Sequence, residues 1–424
     1  MDRPTQNVYL NILRQELVPA MGCTEPIAIA YAAAKAREVL GMLPETVTVR
    51  ASANIIKNVK SVVVPNTGHL RGIAAAACAG IVAGRAKEEL EVLSDVRPEQ
   101  IPDIAALLSR SICRVEVSDA PYVFHILVTA KAEGHHVLVE IVGAHTNIVR
   151  IEKDGQILFS APFEPTENAL TPVDHSMLSV EGIVDFADTV DISCVEELLE
   201  RQITCNRAIA EEGLRGEWGA GIGRILLSAY GNAVHNRARA YAAAGSDARM
   251  NGCEMPVVIN SGSGNQGLTA SLPVIVYAEE LGATREQLYR ALLVSNLVTI
   301  HLKTGIGPLS AYCGATSAGA GAGAGICYLH GGKFREIAHT VVNALAINSG
   351  MICDGAKASC AAKIASAVDA GLLGMQMQAH GSQFYGGDGI VVKGVENTIR
   401  NVGTLARDGM RETDKTIIEI MTGC

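Results

Sequence analysis

Three cysteines in the last third of the chain, Cys313, Cys353 and Cys360, carry the residue pattern with the clearest chemical content. They sit in Tyr312-Cys313-Gly314-Ala315-Thr316, Ile352-Cys353-Asp354-Gly355 and Ser359-Cys360-Ala361. Small and turn-forming neighbours surround each one, unlike the bulky aliphatics around a thiol that fills a core. Three such thiols suggest a metal held by thiolates with a coordination position left open. A closed zinc site would need a fourth ligand and usually shows paired C-x2–4-C knuckles, which this chain lacks. An iron–sulfur cubane on three cysteines with one exchangeable ligand fits better. The same spacing is equally compatible with ordinary buried free thiols, because Cys is among the most buried residue types.

Two further segments place polar groups at a turn before a helix. In Ser261-Gly262-Ser263-Gly264-Asn265-Gln266-Gly267, an apolar strand-like MPVVIN leads into a helical LTASLPVIVYAEEL. The loop formally matches G-x-G-x-x-G, but no second strand ending in an acid follows, so a dinucleotide fold is rejected. Its backbone N–H groups, hydroxyls and amides still make an anion cradle suited to a carboxylate. The second segment is Met21-Gly22-Cys23-Thr24-Glu25-Pro26. A thiolate at Cys23 would be stabilised by a helix N-terminus and could act as base, nucleophile or metal ligand; a capped helix start with an incidental thiol is the plain alternative. Asn66-Thr67-Gly68-His69 repeats the arrangement more weakly, and His301 and Lys303 are lone titratable groups on an apolar stretch. No Ser/His/Asp triad, H-E-x-x-H or Walker loop is evident.

The elements expected to position these groups fall into two textures. Residues 6–40 read as helix, broken at Pro19 and at the Gly22–Pro26 turn. From Thr46 the pattern becomes β-branched, a small-residue helix is expected over His69–Leu93 and another near Asp103–Arg110, and residues 112–163 alternate as short strands. From Thr189 onward the pattern is almost wholly helical. These features predict an α+β fold: a helical catalytic domain (1–43 and 166–424) with an embedded α/β subdomain (44–165). The run Ser317–Cys327 alternates Ala and Gly and is expected to form a tightly packed helix, with Cys327 in the core.

Composition narrows the class. Apolar residues make up 48% of 424 residues and aromatics only 4%, so the core must be built from small side chains. A net charge of −9 without a basic stripe excludes nucleic-acid binding. The most apolar stretch, Ala291–Ile306, is interrupted by Ser295, Asn296, His301 and Lys303, which argues against a membrane span. Eleven cysteines without scaffold spacing, and no signal-like N-terminus, point to a reducing cytoplasmic compartment. A homodimer is expected on base rates.

Taken together, Gly22-Cys23-Thr24-Glu25-Pro26, Ser261-Gly262-Ser263-Gly264-Asn265 and the Cys313/Cys353/Cys360 set resemble the L-cysteine desulfidase family, related to the alpha chain of the iron–sulfur L-serine dehydratases. The resemblance covers essentially the whole chain. It implies a [4Fe–4S] cluster on Cys313, Cys353 and Cys360, and Cys23 as base. It also implies α,β-elimination of a small amino acid, yielding sulfide, pyruvate and ammonia from L-cysteine. Substrate contacts are expected from Ser261, Gly262, Ser263, Gly264 and Asn265, and from Asn66, Thr67 and His69. The terminal Cys424 is a further candidate ligand for the open iron, the plain alternative being a disordered tail. Rival readings are an L-serine or L-threonine dehydratase with the same cluster and a non-catalytic iron–sulfur sensor. A pyridoxal-phosphate lyase on Lys303, Lys357 or Lys363 would leave the three cysteines without a task.

Overall fold

The computed structural model describes residues 1–162, 174–307, 309–422. The chain opens with helix α1 (Arg3–Glu16), strand β1 (Pro19–Met21) and helix α2 (Thr24–Leu40). Strand β2 (Thr46–Ala51) is followed by α3 (Ala53–Val59), α4 (Gly72–Ala83) and α5 (Ile101–Ser109). Four strands come after β3 (Cys113–Val117): β4 (His125–Ala132), β5 (His135–Val142), β6 (Ile148–Lys153) and β7 (Gln156–Ser160). Helices α6 (Val180–Thr189), α7 (Glu196–Arg215), α8 (Ile222–Tyr230) and α9 (Val234–Met250) precede a last strand, β8 (Pro256–Val258). The remainder is helical: α10 (Gly264–Glu280), α11 (Arg285–Ile306), α12 (Gly314–Leu329), α13 (Phe334–Ile347), α14 (Cys360–Ala379), α15 (Val395–Thr404) and α16 (Arg411–Thr422).

The fold is α+β, as the sequence predicts. A six-stranded sheet in the order β3-β2-β4-β5-β6-β7 is antiparallel except at the β2–β3 pair. Alternation sets its buried face: Val47 and Val49, Ile126 and Val128, Val137 and Val139 all point inward, onto helices α2 and α4. Three local expectations are corrected. The β-branched run from Thr46 stops at Ala51, and Ala53–Val59 is helical because Ile55 and Val59, one turn apart, both enter the core. Val62–Val64 forms only a bridge between Val63 and Arg71. The expected helix His69–Leu93 is shorter, Gly72–Ala83, with a separate 3-10 turn at Ala86–Glu91. Phe163, Glu164 and Pro165, at the expected end of the α/β segment, lie outside the described residues.

Helix α12 is the axis of the helical part, packed against α10, α11, α13 and α14. Its alternating Gly/Ala sequence explains how. On a helix, residues two apart lie on roughly opposite faces and residues four apart share one. A side-chain carbon on Gly319 or Gly323 would meet the backbone of α14, at 2.2 Å from the Ala367 oxygen and 2.5 Å from the Gly371 oxygen. On the other face, a carbon on Gly321 would meet Thr299 Oγ1 at 2.2 Å, and one on Gly325 the Ala291 oxygen at 2.8 Å, both on α11. The run thus lets α12 press its backbone against two neighbours at once. Cys327 is buried in the core at its far end.

Candidate active site

A cavity of about 340 Å³ lies where four helices begin. Cys23 is the N-cap of α2, Ser263 that of α10 and Cys313 that of α12, while Cys360 is the first residue of α14. All four residues line the cavity. Each helix N-terminus presents unpaired N–H groups and a partial positive charge, so their convergence favours anionic occupants.

Two backbone pairings gather these ends. Strands β1 and β8 pair antiparallel, Pro19 opposite Val258 and Met21 opposite Pro256, which brings the Cys23 turn beside the loop at 261–265. The Thr24 hydroxyl then donates to the Gly262 carbonyl at 2.9 Å. Ser261 and Gly262 both have positive φ, and Gly267 must lack a side chain because its Cβ would sit 2.1 Å from the Val258 oxygen. A buried amide network holds the loop from behind: Asn260 donates to Asn296 Oδ1 at 3.0 Å, and Asn296 to Gln202 Oε1 at 2.8 Å. The second pairing joins the two thiol loops. Tyr312 bridges Ile352, Cys313 N donates to the Met351 oxygen at 3.0 Å, and Cys353 N to the Ala311 oxygen at 2.6 Å. Cys360 follows at the start of α14, its N–H on the Lys357 oxygen at 3.0 Å.

The site residues expected from sequence separate accordingly. Cys23, Ser261, Gly262, Ser263, Asn265, Cys313, Cys353 and Cys360 all face the one cavity. Gly264 lies behind it, where a Cβ would strike Arg249 Nε at 2.3 Å. Asn66, Thr67 and His69 do not line it. The Asn66 amide donates to the Leu93 oxygen at 2.7 Å, Thr67 donates to the Val64 oxygen at 2.7 Å, and Asn66 and His69 adopt positive φ. Their polarity serves a tight turn. His301 is hydrogen-bonded to Glu396 at 2.6 Å and does not line the cavity. Cys424 lies outside the described residues.

The structure adds residues that the sequence reading passed over. Arg249, 4% exposed at the end of α9, donates from Nη1 to Asn265 Oδ1 at 3.2 Å, and its Nε has no hydrogen-bond partner among the described residues. The same is true of His145 Nε2, Gln266 Oε1, Tyr312 Oη and Asn58 Oδ1, all on the cavity wall. A group of orphaned polar atoms on residues of one cavity wall is consistent with a polar ligand there. Burial holds the His145 imidazole below its ordinary range, which leaves it neutral. Lys57 (3% exposed) and Lys303 (7% exposed) contribute buried cations. Lys57 pairs with Asp414 at 2.5 Å.

Charge also decides the state of the thiols. Cys313 is hydrogen-bonded to Cys353, which pushes the Cys313 thiol up and favours a thiolate on Cys353, where Lys57 and Lys303 add to the effect. Cys23 behaves differently. Burial pushes its thiol up to about 12, outweighing Arg249, so the helix N-terminus does not make it a thiolate as expected from sequence. Among the described residues no three His, Cys, Asp or Glu side chains converge as a single-ion site would require. Three soft thiols spread over one wall, with helix N-termini and lysines to balance negative charge, fit a thiolate-ligated iron–sulfur cluster, whose ligands attach at separate corners.

Fold and site together define a chain of the serine dehydratase type: a family model described as serine dehydratase alpha chain matches residues 87–419, and the protein belongs to that family. Its relatives include a UPF0597 protein of Desulfitobacterium hafniense, 59% identical over 97% of this chain and 96% of that one. A UPF0597 protein of Lachnoclostridium phytofermentans is 53% identical over 97% and 98%, and one of Treponema denticola 45% identical over 99% of both. Among the described residues no helix is long and apolar enough to cross a membrane.

Proposed function

We propose that the protein catalyses iron–sulfur-dependent α,β-elimination of L-cysteine to pyruvate, ammonia and hydrogen sulfide. The observation that carries this reading is one cavity shared by the Cys313, Cys353 and Cys360 thiols, a carboxylate cradle and groups able to take a proton. A [4Fe–4S] cluster on the three cysteines would supply a Lewis acid for the leaving sulfur. The chain's own residues do the rest. The Ser261–Asn265 loop and the guanidinium of Arg249, which also lines the cavity, bind the substrate carboxylate, as charge-assisted hydrogen bonds to a planar fork suit. Glu25 and the acceptor oxygens of Asn58 and Gln266 receive the ammonium. The α-proton goes to Cys23 or to His145. His145 is the readier acceptor because it is neutral with a free ring nitrogen, whereas Cys23 must first lose its own proton.

A sulfur-rich apolar wall supports cysteine as substrate. Cys23 Sγ lies 4.0 Å from Met250 Sδ, and both pack with Val62, Ala356 and Cys360, a soft surface that offers a hydroxyl little. The second reading, dehydration of L-serine or L-threonine, draws on the description of the family model. A sensor without turnover would need neither the cradle nor the orphaned polar atoms. Anaerobically reconstituted protein is expected to release sulfide and pyruvate from L-cysteine with a higher kcat/KM than pyruvate from L-serine. The reverse ranking overturns the substrate, and protein that takes up no iron and acid-labile sulfide overturns the chemistry.

A further inference from the structure

Four cations border the cavity, and three have an assigned partner. Lys57 pairs with Asp414 and Lys363 with Asp354, each at 2.5 Å, and Arg249 holds Asn265 beside the carboxylate cradle. Lys303 stands apart. It is 7% exposed, its ammonium donates to the Gly307 oxygen at 2.5 Å, and among the described residues it forms no ion pair with a carboxylate. A buried charge must be paired, or its group gives up the charge. Lys303 lines the same cavity as the Cys313 and Cys353 thiols and the Glu16 carboxyl. Lys57 lines that cavity as well, but its charge is already matched by Asp414. Helix α11 therefore delivers an ammonium into the cavity that holds the thiols, separate from the guanidinium that holds Asn265.

We infer that Lys303 is the buried counter-charge of the anionic group carried by Cys313 and Cys353, and that it sets how firmly that group is held and its reduction potential. This rests on the iron–sulfur reading above. Each thiolate ligand brings a negative charge into the cavity, and a fixed cation beside it lowers the free energy of the ligated state. Reduction by one electron adds one more negative charge and breaks no bond to the protein, so the same cation favours the reduced form. Lys303 is thus a positioning and tuning residue and does not itself touch the reacting carbon.

The test uses full-length protein reconstituted anaerobically, titrated with dithionite and followed by visible absorbance and electron paramagnetic resonance. Iron release to a ferrous chelator is timed in parallel. Lys303→Met keeps the length of the side chain and removes the charge. It should favour the oxidised form about tenfold, which is about 59 mV to lower potential for one electron, and should speed iron release about tenfold. Lys303→Arg, which keeps the charge, should stay close to the unmodified protein. If Lys303→Met does not fold, Lys303→Gln is read in the same way. Unchanged potential and iron release in a neutral variant that carries a full cluster overturn the inference and leave the iron–sulfur reading intact. So does a raised KM for substrate at unchanged potential, which would place Lys303 on the substrate instead. Unmodified protein that assembles no cluster overturns the reading and the inference together.

Discussion

Glu16 ends helix α1 on the cavity wall, 3.6 Å from His175, and it is held as an acid that resists ionisation. Burial pushes its carboxyl up from 4.5 to about 7, against the opposing pull of the Ser261 N–H and of Lys303. The sign for stability follows from proton linkage. In the unfolded chain Glu16 ionises near 4.5, so between that pH and about 7 the folded state binds more protons and stability falls as pH rises. The full penalty is present above pH 7, and 2.5 pH intervals at 1.36 kcal/mol each amount to about 3 kcal/mol. Glu16→Gln removes the ionisation while keeping an oxygen to accept from Ser261. The variant should therefore exceed the unmodified protein by about 3 kcal/mol at pH 8.5, most of it gone by pH 5. Urea unfolding followed through the single tryptophan, Trp218, measures both. A difference that stays constant from pH 5 to pH 8.5 would show that Glu16 does not titrate with folding.

Three other substitutions test separate links in the argument. Gly319→Ala should lower stability by about 1–3 kcal/mol through overpacking against the Ala367 carbonyl, although helix propensity alone favours Ala by about 1 kcal/mol; a raised thermal midpoint would refute the close approach of α12 and α14. Arg249→Met should raise KM for the amino acid about 10- to 100-fold, the loss of one charge-assisted hydrogen bond of about 1.5–3 kcal/mol, with iron content unchanged. His145→Ala should cost at least about 100-fold in kcat if it takes the α-proton, and Cys23→Ala much less; the opposite order, measured by pyruvate release, reassigns the base to Cys23.

Local signals made part of the site legible and tertiary convergence supplied the rest. Cys23, the 261–265 loop, Cys313 and Cys360 announce themselves because each combines turn formers with a helix start, and Cys353 because Asp-Gly follows it; such arrangements can be read over five residues. Asn66 and His69 show the weakness of the same signal. Asn and His tolerate positive φ, so polar residues before a helix report a turn as readily as a binding site. Arg249, His145, Lys57 and Glu16 carry no such mark. Each meets the site through neighbours far away in sequence, as the Lys57–Asp414 pair illustrates across 357 positions. Arg249 did leave one trace: α9 is buried through Ala242–Ala244, Ser246, Asp247 and Arg249 alike, and polar residues in a helix with no solvent face need partners inside. The α/β segment was legible for a simpler reason, the two-residue alternation of β4 and β5 over a one-sided core.

The composition and the site are two aspects of one constraint. Under the proposed function, balancing cluster-bound thiolates and a substrate carboxylate in one cavity calls for many positive ends, and four helix N-termini provide them without adding side chains to the space. Helices whose first turns meet around 340 Å³ must also run close together below that point. Large side chains between α11, α12 and α14 would hold the axes apart and splay the ends that carry Cys313 and Cys360. Glycines at 319, 321, 323 and 325 remove that spacing on two opposite faces, and Gly371 meets them from α14 with its own Cβ position 2.0 Å from the Gly319 oxygen. A chain with 43 glycines and 4% aromatics is therefore what this architecture requires. The Gly/Ala run of α12 is the element that lets the thiol loops reach one another.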